Sequence, residues 1–442
     1  MKTSEWIAQR VARLKPAASD KPRSTQERLK ATLRQGPEAL SPRALRHVLD
    51  DLKAIVDPLV SEVEGGRRAH AVMGWYASAP AAQRRDLWLL MSERFMADPV
   101  QVKQAQAQLD AAIGTPDQAA AEVFFRRATV SPRRRLLQRF SAHQDGVRFL
   151  VDVRAELQAA LKADRRLLAL DVEMEYMFST WFDVGFLEMR RISWDSPASL
   201  VEKLIKYEAV HDIRSWADVK NRLDSDRRCY GFFHPRLPGE PLIFVEVALI
   251  NEMASSITPL LDEAAAPADL ERATTAIFYS ISNTQPGLRG VSFGDSLIKE
   301  VVETLQREFP RLKTFATLSP IPGLRAWLVK HAPAELLKAW ERAPELPDSA
   351  PERRALLGWA ARYLGTELQD GKPLDPVARF HLGNGACVER LNWAADPSAK
   401  GLKQSYGLMV NYLYDLKRLD KHRAMLAQAK IPIARAIKDL YL

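Results

Sequence analysis

From about Ser24 to Phe182, apolar residues recur at helical spacing, and new segments open on a polar residue followed by proline: Ser41-Pro42, Asp98-Pro99, Thr115-Pro116 and Ser131-Pro132. A side-chain oxygen at the N-cap accepts an orphan N–H, and proline at the first helical position gives up a donor that had no partner. The pattern predicts an all-α helical N-terminal domain over residues 1–185. After Ser196-Pro197 the periodicity changes. Cys229–His234 and Leu242–Leu249 are strand-like runs joined through Pro238-Gly239, a turn pair, so a hairpin is expected. Ile277–Ile281 reads as a strand, Asn283–Gly294 as a glycine-rich loop, and Asp295 to Glu308 as a helix with Leu297, Ile298, Val301, Val302 and Leu305 on one face. Pro310 stops that helix, and a further strand is expected near Thr314. Strand, helix and strand in sequence imply a crossover, so residues 186–442 are expected to form an α/β domain. Ala343–Arg353 reads as a loop before a helix at Arg354–Leu364, and the alternation over Phe380–Tyr414 supports no assignment.

The loop Pro286-Gly287-Leu288-Arg289-Gly290-Val291-Ser292-Phe293-Gly294 carries three glycines and leads into a helix. Glycine lets backbone come close to a ligand, and free N–H groups at a helix start form an anion cradle suited to a pyrophosphate. By geometry alone, such a turn equally serves to join strand to helix. Its surroundings are more specific. His234-Pro235-Arg236-Leu237-Pro238-Gly239-Glu240-Pro241-Leu242, the loop itself, Leu318-Ser319-Pro320-Ile321-Pro322-Gly323-Leu324 and Phe380-His381-Leu382-Gly383-Asn384-Gly385-Ala386 occur in order between Asp183 and Tyr414. Together they resemble the malonyl-CoA decarboxylase family. The resemblance implies a helical N-terminal domain, a C-terminal catalytic domain of acetyltransferase-like (GNAT) fold, and conversion of malonyl-CoA to acetyl-CoA and carbon dioxide.

Loss of carbon dioxide from a malonyl thioester leaves an enolate. The catalyst must stabilise negative charge and then protonate the α-carbon, and the thioester already delocalises the carbanion, so neither metal nor cofactor is expected. The histidines form no His-Glu-x-x-His or paired-Cys spacing. By pattern alone Ser319 is a turn residue and His381 a structural histidine. The resemblance makes Ser319 the serine that meets the malonyl group and His381 the catalytic histidine, with CoA-ester binding by Arg289, Gly290, Val291, Ser292, Phe293, Gly294 and Asp295. Histidine titrates near neutrality, so His381 is read as proton donor and Ser319 as its partner and proton acceptor. Tyr414 matches a tyrosine near the family's site, and both a catalytic and a packing role stay open for it. Ser292 stands where some members carry an acidic residue, so no acid-dependent step transfers.

Composition narrows the alternatives. Of 442 residues 47% are hydrophobic and 27% charged, as in ordinary globular proteins. No apolar run approaches the roughly 18 residues of a membrane span. Two cysteines, Cys229 and Cys387, exclude a disulfide framework. The net charge of +9 fits an anionic partner without specifying it. Arg126, Arg127, Arg133, Arg134, Arg135 and Arg139 form an acid-free run that reads as a solvated face or subunit contact, with no nucleic-acid signature beside it. Met1–Pro16 reads as an amphipathic first helix or frayed terminus rather than a transit peptide, and Lys438–Leu442 is not a peroxisomal address, so a cytoplasmic enzyme is expected. The expected partners are malonyl-CoA and acetyl-CoA and a second copy of the chain, as a dimer or tetramer through the helical domain, without nucleic acid or membrane. Two competing readings are an acyl-CoA N-acyltransferase on the same fold and a non-enzymatic, polyanion-binding helical scaffold.

Overall fold

The computed structural model describes residues 23–35, 38–291 and 297–441, so Met1–Pro16 lies outside the described residues. The chain divides into two compact units: one runs to Phe178 and includes Pro286–Gly290, the other comprises Ser179–Gln285 and the chain from Val291.

The first unit is a succession of α-helices from Thr25–Lys30 to Gly146–Ala160, with most of Leu168–Trp181. Ser41 and Asp98 cap their helices as expected, accepting from the N–H groups of Ala44 and Val100. Thr115-Pro116 does not start a helix. Thr115 Oγ1 donates to the Ala112 carbonyl, and the next helix, Gln118–Thr129, begins after Asp117. Ser131 precedes Pro132–Ala142 but makes no capping bond; its hydroxyl donates to Glu173, at 3.0 Å. The arginine run is not simply a solvated face. Arg133 is buried and donates to the carbonyls of Met91, Ser92 and Ala169, while Arg134 pairs with Glu173 and Arg139 with Glu62. Buried carbonyls at helix ends need donors, and a guanidinium supplies several in one fork.

The second unit is built on a mixed sheet. Its strands are β1 (Glu188–Ile192), β2 (Arg227–Phe233), β3 (Pro241–Ile250), β4 (Thr275–Asn283), β5 (Thr314–Thr317) and β6 (Ser319–Pro320). A small separate hairpin is formed by β7 (Leu368–Gln369) and β8 (Lys372–Pro373), and β9 (Cys387–Asn392) and β10 (Met409–Leu413) complete the large sheet. β1 to β4 run antiparallel in order, with the expected hairpin at β2 and β3. β4 and β5 pair in parallel across the crossover helix Leu297–Glu308, from Thr275 opposite Thr314 to Phe278 opposite Thr317. β5 and β6 both lie antiparallel to β10 in one register, Ala316 opposite Leu413 and Ser319 opposite Val410, and β9 takes the other edge of β10. They are two halves of one strand, broken at Leu318. Every residue of β2 is buried, as are nearly all of β3, which is why both read as apolar runs rather than alternating ones.

Two expectations change here. Arg354–Leu364 belongs to a longer helix, Pro351–Thr366, which takes Pro351 at its first position and absorbs the end of the expected loop. Phe380–Tyr414, which the pattern left unassigned, holds the end of the helix Pro376–Gly383, then β9, the helix Ala399–Ser405 and β10.

One buried charge cluster underlies this sheet. Arg222 donates to Asp218 at 2.7 Å, to Glu246 in the middle of β3 at 2.8 Å and to the His211 carbonyl at 2.8 Å. Burial, reinforced by nearby Glu208, pushes the Glu246 carboxyl up to about 7, with Arg222 opposing the shift. Glu208 in turn accepts the hydroxyls of Ser280 and Ser282 on β4 and the N–H groups of Val210 and His211.

Candidate functional site

The site lies where β4 and the β5–β6 strand part. The Leu318 N–H still reaches the Phe278 carbonyl at 3.0 Å, but the chain then enters Ser319-Pro320-Ile321-Pro322, in which two residues have no N–H to donate. β4 meanwhile continues along β3 to Asn283. Beyond Phe278, the edge of β4 therefore borders a cavity of about 440 Å³, lined by Tyr279, Ser280 and Ile281 on one side and by Ser319, Pro320 and His381 on another. Val291 and Leu297 also line it; they flank residues 292–296, which lie outside the described set.

Ser319 and His381, 62 positions apart in the chain, meet here, with Ser319 Oγ 3.2 Å from His381 Nε2. Tyr414 Oη lies 2.7 Å from the ring's other nitrogen, Nδ1, and so reaches the cavity through His381. The ring is stacked on Tyr412 at 4.7 Å and 27°, and its residue is only 4% exposed. Ser319 also donates to Thr317 Oγ1, at 2.8 Å. The three residues singled out from the sequence therefore form one hydrogen-bonded chain, Tyr414 to His381 to Ser319, extended by Thr317.

Local sequence explains how the histidine is held. Asp375-Pro376 starts its helix in the polar-then-proline manner: Asp375 Oδ1 accepts from the N–H groups of Val377 and Ala378 at 2.9 and 3.0 Å. Its other oxygen accepts from Gly323 N–H at 3.2 Å and Tyr363 Oη at 3.3 Å. One carboxylate thus ties the turn that carries Ser319 to the helix that carries His381. Gly323 is required by close approach, because a Cβ there would sit 2.1 Å from Tyr363 Oη. Asp375 was legible in principle, as the same cap signal that marks the N-terminal helices. Thr317 was not, since a threonine in a strand is ordinary.

Burial overturns the expectation that His381 titrates near neutrality. Enclosure away from water, with no charge beside it, disfavours the imidazolium and pushes the ring down to about 3. Burial raises Tyr414 far above an ordinary phenol, so its hydroxyl keeps its proton. A stability prediction follows, with its sign. Between about pH 3 and the unfolded value near 6.5, the unfolded chain binds a proton that folded His381 does not, so stability is intact above 6.5 and falls as pH drops through that window. His211, pushed down to about 4 chiefly by burial, acts in the same direction. Denaturant unfolding at pH 7.5 and pH 5 should show lower stability at pH 5, and the drop should be smaller in His381→Asn. An equal drop would assign it to other groups.

The glycine loop is only partly as expected. Gly287 serves packing within the helical unit: a Cβ there would sit 1.9 Å from the Val151 carbonyl oxygen. Buried Arg154 donates to the carbonyls of Gly287 and Arg289, both at 2.9 Å, while pairing with Asp171 and Glu175. Gly290 has a φ of +84°, a left-handed conformation that glycine adopts without a Cβ clash. Arg289, Gly290 and Val291 are thus placed, and Ser292, Phe293, Gly294 and Asp295 lie outside the described residues. Among the described residues no group of three or more His, Cys, Asp or Glu side chains could hold a metal ion, and no helix is long and apolar enough to cross a membrane.

Comparison with known proteins finds relatives over both parts of the chain. The family described as malonyl-CoA decarboxylase C-terminal domain matches residues 185–442, and that described as malonyl-CoA decarboxylase N-terminal domain matches 95–182. A curated relative, mitochondrial malonyl-CoA decarboxylase of Mus musculus, is 38% identical over 395 residues, 80% of each chain. The crystal structure of malonyl-CoA decarboxylase from Rhodopseudomonas palustris superposes with a TM-score of 0.79 at 39% identity, covering 89% of this chain and 99% of the other. That from Cupriavidus metallidurans gives 0.72 at 42% identity, covering 90% and 100%. With family matches over 185–442 and 95–182 and relatives 38–42% identical over most of its length, this chain belongs to the malonyl-CoA decarboxylase family.

Proposed function

We propose that the chain converts malonyl-CoA to acetyl-CoA and carbon dioxide at the cavity between β4 and β6, without a metal, with His381 as proton donor and Ser319 as its hydrogen-bond partner and acceptor. The observation that carries the reading is the contact of Ser319 Oγ with His381 Nε2 in the wall of the cavity. As the bond to the carboxylate breaks, its electron pair passes into the thioester and carbon dioxide leaves. The enolate's negative charge beside the ring favours the imidazolium that burial otherwise suppresses. The extra proton comes from solvent at Nδ1; delivering the Nε2 proton to the α-carbon leaves a neutral ring, and proton exchange with solvent restores the starting Nε2–H tautomer. Tyr414 supports both states, because a hydroxyl can donate to a bare Nδ1 or accept from a protonated one. One proton is consumed per turnover, and the products are neutral carbon dioxide and the acetyl thioester.

The N-acyltransferase reading needs an amine acceptor, whereas this reaction needs none. Incubating the pure, exhaustively chelated protein with malonyl-CoA should release acetyl-CoA and carbon dioxide in equal amounts with no acceptor present. Activity lost on chelation and restored by one particular divalent ion would overturn the metal-free mechanism.

Binding of the CoA pyrophosphate by the backbone from Arg289 to Asp295 is part of the same reading, supported by Arg154's grip on the Arg289 carbonyl and by the left-handed Gly290. Self-association through the helical domain is proposed on Ile113, Val123, Phe124 and Val130, large apolar residues that stay exposed around Gln118–Thr129, a helix with no buried residue. Light scattering should give the mass of a dimer or tetramer, and charged substitutions at Val123 and Phe124 should reduce it; a monomeric mass would refute this assembly.

A further inference from the structure

We propose that Thr317 is a positioning residue that sets the direction of the whole hydrogen-bond chain and, with it, the tautomer of His381. The inference rests on the proposed roles of Ser319 and His381 and adds what fixes their protons. The shared register of Ala316 with Leu413 and Ser319 with Val410 places Thr317 opposite Tyr412. There the ladder departs from the ordinary: the Tyr412 N–H goes to Thr317 Oγ1 at 3.1 Å, and the Thr317 carbonyl accepts the side-chain amide of Asn411 at 2.7 Å. A backbone N–H can only donate, so the Tyr412 amide takes one lone pair of Thr317 Oγ1 and leaves the second for Ser319. Ser319 Oγ donates its single proton to that same oxygen, at 2.8 Å. With that proton committed, Ser319 can only accept from His381 across the 3.2 Å contact, so Nε2 carries the hydrogen. Nδ1 is then a bare lone pair, matched to the Tyr414 hydroxyl at 2.7 Å, which burial keeps protonated. Each link agrees with the next.

Thr317 is fully buried and touches the reaction only through Ser319. Without its oxygen, the Ser319 hydroxyl is free to turn and donate to Nε2, which moves the ring's hydrogen to Nδ1, away from the substrate. Misdirection of a reacting group can cost up to about 10²-fold in rate. Thr317→Val, which keeps the shape and removes the acceptor, should therefore lower kcat by roughly 10- to 100-fold while KM for malonyl-CoA stays within about twofold. Thr317→Ser, which restores the oxygen, should recover most of the rate. In a Ser319→Ala background, Thr317→Val should slow turnover no further, because the group it directs is gone. Nitrogen-15 spectra of ring-labelled protein should show His381 protonated at Nε2 in the wild type and shifted toward Nδ1 in Thr317→Val; this holds even if the variant is less stable.

Wild-type kcat in Thr317→Val, failure of Thr317→Ser to recover, an undiminished effect in the Ser319→Ala background, or an Nδ1–H tautomer in the wild type would each overturn the proposal. Wild-type turnover in Ser319→Ala would instead remove the serine and histidine roles beneath it, so the two failures are distinct.

Discussion

Replacing His381 by alanine should slow decarboxylation of malonyl-CoA by about 10²- to 10⁴-fold, the usual loss when a positioned proton donor is removed. Affinity for acetyl-CoA should stay nearly unchanged, because under the proposed mechanism the interactions of this cavity-lining ring are made mainly in the transition state. Ser319→Ala should cost about 10²-fold through loss of the acceptor that aims Nε2–H. Since the two side chains work through one contact, the double variant should be little slower than the poorer single one. Tyr414→Phe keeps the ring that borders His381 but removes the hydroxyl at Nδ1, and should fall between wild type and His381→Ala. Single-turnover rates and inhibition by acetyl-CoA would separate these effects. Near-normal turnover in His381→Ala would displace the proton donor from this histidine.

The second large effect concerns stability. Arg222→Met should destabilise the chain by about 3–5 kcal/mol at pH 8, because it leaves Glu246 and Asp218 buried beside each other without their shared cation. Glu246 is already pushed up to about 7, so removal of Arg222 drives it higher still, and it takes up a proton rather than stay ionised. The loss should therefore shrink at pH 6. Arg222→Met/Glu246→Leu should regain more than half of it, since replacing a whole buried pair by apolar groups is often neutral. Urea unfolding at the two pH values measures all three quantities. A single-variant loss below about 1 kcal/mol, or one independent of pH, would mean that the cluster is better solvated than its burial indicates.

Much of the catalytic unit was readable from pattern. The hairpin at β2 and β3, the parallel step from β4 to β5 and the crossover helix follow from apolar periodicity and proline placement, which act over a few residues and hence leave a mark in any one segment. Ser319 and His381 were found through motifs, and by pattern alone neither differed from a turn residue or a structural histidine. The Phe380–Tyr414 segment could not be read because its β10 is shared, with β5 and β6 on one side and β9 on the other; burial on several sides erases alternation. The arginine run misled for the complementary reason. Charge suggests solvent, yet Arg133 is drawn inside by carbonyls more than 35 positions away.

By itself the sequence determined most of the elements, the family and the residue types available for chemistry: caps, periodicity and motifs are local, and local rules fix them. Only the tertiary structure decided what those residues can do. It brought Ser319 to His381 across 62 positions, placed Tyr414 behind the ring and set Thr317 against the Tyr412 amide. It assigned Gly287 to packing against Val151 rather than to ligand approach, and moved His381 from a neutral-range base to a ring held uncharged. Protonation and hydrogen-bond direction depend on burial and on distant partners, and both come into being only when the chain closes around them.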